Sequence, residues 1–179
     1  GLSLEQLHTQ LPSVTMASLK QIRDTSLHLV DMGDKLIHED AFVDWEEAAE
    51  HLREILEKLL TKNSGYVSVS QLWEYVRAEM HMFLNDNDIA DERSVYCICR
   101  HLFEKTNWRG NHYAFTGGNH ISRGGKETLT TNLDVIHLFA REHNGFFRYK
   151  DLVEYLRQVG ISTGNLRGQM RIGSKPIFF

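Results

Sequence analysis

"NSGYVSVSQLWEYVR" at residues 63–77 and "HNGFFRYKDLVEYLR" at residues 143–157 decide how this chain is read. Each places Gly and an aromatic residue before a short apolar-rich run and then an amphipathic L-x-E-Y-apolar-R segment. Subtracting 80 from the second set of positions gives the first: Gly145 falls on Gly65, Phe146 on Tyr66, Phe147 on Val67, Tyr149 on Val69 and Leu152 on Leu72. Glu154, Tyr155, Leu156 and Arg157 fall on Glu74, Tyr75, Val76 and Arg77. Upstream, Val135, Ile136 and Phe139 fall on Ile55, Leu56 and Leu59. An ungapped match of this kind is an internal repeat, one supersecondary unit used twice.

Each copy parses on physical grounds. In "WEEAAEHLREILEKLLTKN", Ala48, Leu52, Ile55, Leu56, Leu59 and Leu60 form the i, i+3, i+4, i+7 stripe of a helix with one buried face. Lys62 and Gly65 are C-terminal signals. "GYVSV" alternates as a short strand would, with Tyr66 and Ser68 on one face and Val67 and Val69 on the other. Ser70 is the expected cap of a second helix, "QLWEYVRAEMHMFL", with Leu72, Val76 and Met80 on one side. "DNDIADERSVYCICRHLFEK" predicts an acidic turn and a third helix with Asp91 near its start, where a carboxylate suits the helix dipole. "NWRGNHYAFTGG" predicts a hairpin around Arg109, Gly110 and Asn111. The second copy follows in shorter form: helix "NLDVIHLFAREH", strand "GFFRY", helix "KDLVEYLRQVG" and helix "TGNLRGQMR", then "IGSKPIFF".

Upstream of the first copy, "LSLEQLHTQL" and "TMASLKQIRDTSLHLVDMGDKLI" carry helical spacing broken at Pro12 and Ser13, which predicts a helical extension over residues 1–43. The expected organisation is this extension, a first module at 44–116, a Gly/Thr/Ser-rich linker at 117–131 and a second, truncated module at 132–179.

Composition limits the function classes. The formal net charge of −4 hides a polarised chain. Residues 1–91 hold 7 Lys+Arg against 17 Asp+Glu, and residues 92–179 hold 13 against 7, so the halves carry −10 and +6. A basic half meets phosphates, and an acidic half suits a protein partner or self-association. No apolar run approaches the length of a bilayer span, and no signal-peptide pattern is present, so a cytoplasmic setting and no membrane partner are expected. Cys97 and Cys99, two apart on a helix, are expected to be buried thiols and not a disulfide.

Catalytic and metal signals are weak. His101, His112 and His120 lack H-x-x-x-H, H-E-x-x-H or C-x-x-C spacing, and the acidic stretch "HEDAFVDWEE" suits capping at a helix start. "FTGGNHISRGGK" is not a phosphate loop, because its glycine spacing is wrong and Glu127 follows Lys126. As a basic linker its Arg123 and Lys126 can touch a nucleic-acid backbone. Trp73, Tyr75, Phe146, Phe147 and Tyr155 fall at core spacing, which favours packing over base stacking. No constellation of nucleophile, base and metal is visible, so no enzyme and no cofactor are expected.

Helix, short strand, helix, helix and hairpin is the element order of the winged helix-turn-helix, and residues 44–179 resemble two such modules in tandem. The second copy also resembles the small HARE-type helix-turn-helix modules of DNA-associated proteins. The resemblance implies a mainly α fold with short β-hairpins, an α+β class. In winged helices that bind DNA the third helix enters the major groove and the wing touches backbone or minor groove. Carried over, the resemblance implies Arg93 and Arg100 of the third helix, with Arg109, Asn111 and His112 of the wing, for the first module. For the second it implies Asn165, Arg167, Gln169 and Arg171, with Lys175 in the wing. Arg and Lys neutralise phosphates, while Asn, Gln and Arg also reach base edges. The expected function is binding of double-stranded DNA in regulation or DNA processing. The alternative is a protein-interaction scaffold like the kite-type subunits of condensin-like complexes, favoured by the acidic half and the apolar third helix "ERSVYCICRHLFEK"; the pI of about 6.2 also weakens the DNA reading.

Overall fold

In the computed structural model, residues 1–110, 113–116, 120–124, 129, 131–164 and 166 are described. Ser3 and Thr15 cap the first two helices, α1 (Leu4–Gln10) and α2 (Met16–Thr25), each accepting a backbone N–H three residues on. The helical spacing then misleads. Residues that were expected to continue α2 form an antiparallel hairpin, β1 (Leu29–Asp31) with β2 (Leu36–His38), in which Val30 faces Ile37. Gly33 sets the turn at φ 96, and its N–H donates to Asp31 Oδ1 at 2.9 Å. That conformation suits glycine and turns β1 into β2; α2 has already ended at Thr25.

The first copy begins with α3 (Trp45–Lys62), whose six predicted core positions are all buried. The next elements are β3 (Tyr66–Ser68) and α4 (Val69–Glu79). Ser68, not Ser70, caps α4, its Oγ accepting from Gln71 N at 3.1 Å. The segment expected as one helix divides at Met80, and α5 (His81–Asp86) follows. Asp91 caps α6 (Glu92–Arg100), accepting from Ser94 N at 2.9 Å. A π-helical turn at His101–Lys105 continues α6, marked by the Thr106 N–H bond to the His101 carbonyl.

The hairpin lies later than expected. Trp108–Gly110 is a single 3₁₀ turn with Arg109 at φ 54, and the paired strands are β4 (Tyr113–Thr116) and β5 (His120–Arg123). The stretch read as a linker therefore contains β5, whose Gly-flanked "HISR" gives little strand signal on its own. β5 is the central strand of a three-stranded antiparallel sheet in the order β3-β5-β4, with Val67 opposite Ile121.

The second copy contributes α7 (Asn132–Glu142) and α8 (Tyr149–Gln158). Both copies stop their first helix in the same way. Gly65 and Gly145 have φ 92 and 79, Ser64 and Asn144 before them have φ 55 and 53, and each glycine N–H donates to the carbonyl five residues back. These bonds satisfy carbonyls that a helix end leaves without partners. α3 and α7 end 80 positions apart, and so do the starts of α4 and α8. The copies differ between stop and restart. β3 pairs with β5, whereas the strand expected at "GFFRY" is absent: Phe146 to Arg148 lie in no strand. Phe146, expected in the core, is 88% exposed.

The fold is mainly helical with two small antiparallel sheets, an α+β arrangement. The chain forms two compact units, the first from residues 1–55 and 73–112, the second from 56–72 and 113–179. In the second unit Tyr66, Val135, Ile136, Phe139, Leu152, Leu156, Val159, Ile161 and Leu166 make one apolar cluster. Burying each such side chain favours folding by about 1.5–3 kcal/mol. Among the described residues no helix is long and apolar enough to cross a membrane.

Candidate functional site

α6 has a buried middle and charged ends. Val95, Tyr96, Cys97, Ile98 and Cys99 are buried, while Arg93 and Arg100 are exposed. The hairpin strand β1 packs on this helix. The two thiols are free, and burial pushes both above the usual thiol range, so neither is a ready nucleophile.

Arg93 and Arg100 lie seven residues apart, two turns of one helix face, and both line a cavity of about 530 Å³ in the first unit. Its other cations, Arg23 from the last turn of α2 and Lys105 from the π-helical turn, come from segments that gave no functional signal in sequence. Arg23 is paired with Asp24 at 2.7 Å and lies 3.7 Å from Asp31. Arg100 is paired with Glu104 at 2.6 Å, which raises its already high proton affinity. Lys105 Nζ donates to the carbonyls of Arg23 and Leu29 at 2.7 and 3.2 Å. Desolvation lowers its pKa, against the opposing pull of Asp31 and Asp24. Four cations against three carboxylates leave this lining with one net positive charge. Tyr96, Cys97 and His101 complete the wall. A face reading Arg93, Tyr96/Cys97, Arg100, Glu104 is the signal that locates half of this site in the sequence; the α2 and hairpin contributions depend on tertiary contact.

The other sequence-derived candidates divide. Arg109 is turned to its own unit: Nη1 contacts Glu50 Oε2 at 2.6 Å, and the guanidinium lies 4.6 Å from the centre of the Trp108 ring. The Arg53 hydrogen bond, helped by Arg109, holds the Glu50 carboxyl below its usual range. Arg123 ties β5 to α3, with Nη2 donating to Glu57 Oε2 at 3.0 Å and Thr61 Oγ1 at 3.3 Å; Tyr113 Oη donates to the other Glu57 oxygen at 2.5 Å. The structure thus brings Arg93 and Arg100 together and places Arg109 and Arg123 in other ion pairs. Asn111, His112, Lys126, Asn165, Arg167, Gln169, Arg171 and Lys175 lie outside the described residues.

Among the described residues no three His, Cys, Asp or Glu side chains converge as a metal-ligand set. Comparison of the chain with family models, with curated proteins and with solved structures returns no match.

Proposed function

We propose that the chain is a tandem winged-helix protein that binds double-stranded DNA without catalysis, and that the basic segment after α8 carries the contact. The observation behind this reading is the sheet order β3-β5-β4 closing the run α3, β3, α4, α5, α6, β4, β5, which keeps the connectivity of a wing with the short α5 inserted between its second and third helices. The burial of α6 under β1 makes it a poor groove-reading helix, so the first module is assigned an architectural role. The second module is assigned the nucleic acid, through Asn165, Arg167, Gln169, Arg171 and Lys175 in the half that carries +6. Phosphate contact there releases counterions, so affinity falls steeply with salt.

Fluorescence anisotropy on labelled duplex and single-stranded DNA at several salt concentrations tests this. The expected result is salt-sensitive duplex binding that Arg167→Glu/Arg171→Glu abolishes. Absence of salt-sensitive binding to any nucleic acid rejects it. The second reading, a protein-interaction scaffold, draws on the same burial of α6: the helix expected to face DNA already meets protein, its own N-terminal hairpin.

A further inference from the structure

The geometry points to the cavity beside α6 as a binding site for a small phosphorylated ligand. This goes beyond the DNA reading and does not depend on it, because every residue it uses lies in the first unit and none follows α8.

Three observations carry it. First, the cavity has the volume typical of small-molecule sites, roughly 300–1,000 Å³, at about 530 Å³, and is concave, where a duplex backbone presents a convex surface. Second, its charges do not cancel. Arg23 and Arg100 are matched by carboxylates, but Arg93 has no ion-pair partner among the described residues, and Lys105 spends its hydrogen bonds on carbonyls. Guanidinium and ammonium groups that line one cavity with one surplus charge favour an anion, and the forked guanidinium matches phosphate oxygens in pairs. Third, His101 lines the wall with a side chain only 2% exposed, and neither ring nitrogen has a hydrogen-bond partner among the described residues. Glu39 at 3.8 Å from Nε2 is outside hydrogen-bond range. A buried imidazole with both nitrogens unsatisfied is rare in a folded protein, and because both nitrogens are closed to solvent a polar ligand would reach them only by displacing part of the wall. Arg93, the cation without a carboxylate partner, would take the phosphate, with Lys105 adding its charge to the wall; Arg23 and Arg100, held by their carboxylates, would frame the mouth.

Isothermal titration of the full chain with adenosine 5′-monophosphate, inorganic phosphate and adenosine tests the site. The expected result is saturable, salt-sensitive binding of the monophosphate and of inorganic phosphate, with adenosine inert. Arg93→Glu should weaken the monophosphate at least tenfold while leaving the thermal midpoint unchanged, since Arg93 is exposed. Arg77→Glu, at an exposed position of α4 outside the cavity lining, should leave binding unchanged. Absence of binding up to millimolar ligand, or equal binding by Arg93→Glu and the wild type, overturns the assignment. Displacement of the monophosphate by a short DNA duplex, with duplex affinity lost in Arg93→Glu, also overturns it by making the cavity part of a nucleic-acid surface. Failure of the DNA reading shows separately, in the Arg167 and Arg171 reversals.

Discussion

His101 is buried where its charged form is poorly solvated, and Lys105 and His28 oppose that form while Glu39 favours it. Burial dominates, so the folded imidazole has a pKa below the ordinary histidine value of about 6.5. The unfolded chain then binds the proton more tightly than the folded one, and this residue's contribution to stability is lost as pH falls through that range. Chemical denaturation of wild type and His101→Leu between pH 5 and 8 should show a difference that grows on acidification, with the variant losing less. At pH 8, where the imidazole is neutral in both states, the two should lie within about 1.5 kcal/mol, because a buried unsatisfied polar group is replaced by an apolar one of similar size. A pH-independent difference would mean that the imidazole is better satisfied in solution than its surroundings indicate. Tyr155 is a milder case: its hydroxyl is buried without a hydrogen bond among the described residues, and burial with Glu142 nearby pushes its pKa up to about 12.

The helix stops are the most transferable feature at the level of elements. A Cβ at Gly145 meets nothing within 4 Å, and one at Gly65 only the Arg123 side chain at 3.9 Å, so substitution costs the left-handed backbone and little else. Gly65→Ala and Gly145→Ala should each destabilise by about 1–2 kcal/mol, and by similar amounts, in denaturant titrations. Asp91→Ala removes the cap of α6 and should cost about 1 kcal/mol. These stops were legible because Gly at a fixed place after an apolar helical stripe is a local signal. The same holds for the core of α3, where Leu52, Ile55, Leu56 and Leu59 declare a face by spacing alone. β5 was not legible, since "HISR" is a strand only because β3 and β4 lie on either side of it. The β1/β2 hairpin was hidden by Leu27, Leu29 and Val30, which fit a helical stripe as well as a strand until Gly33 breaks it. In the site, Arg93 and Arg100 could be placed on one helix from their separation, but the company of Arg23 and Lys105 is a product of packing.

For the molecule as a whole, the charge division from −10 to +6 sets how association responds to ions. If the second module holds DNA, the logarithm of affinity should fall linearly with the logarithm of salt, and neutralising both residues in Arg167→Gln/Arg171→Gln, which unlike the charge reversal leaves measurable binding, should reduce that slope by roughly 2. A slope unchanged by the double substitution would move the contact to another basic surface. The discontinuous units matter in a different way, through the order in which the chain is made. Tyr66 pairs with Ser122, so β3 emerges from the ribosome long before its partner exists. At about 5–20 residues per second that interval lasts roughly 3–11 s. Throughout it the apolar stretch of α3 and β3 destined for the second unit, including Leu59, Leu60 and Val67, has to be kept from other chains. The position of β5 thus leaves that apolar surface without its sheet partner for seconds of synthesis, an exposure that a contiguous first module would shorten.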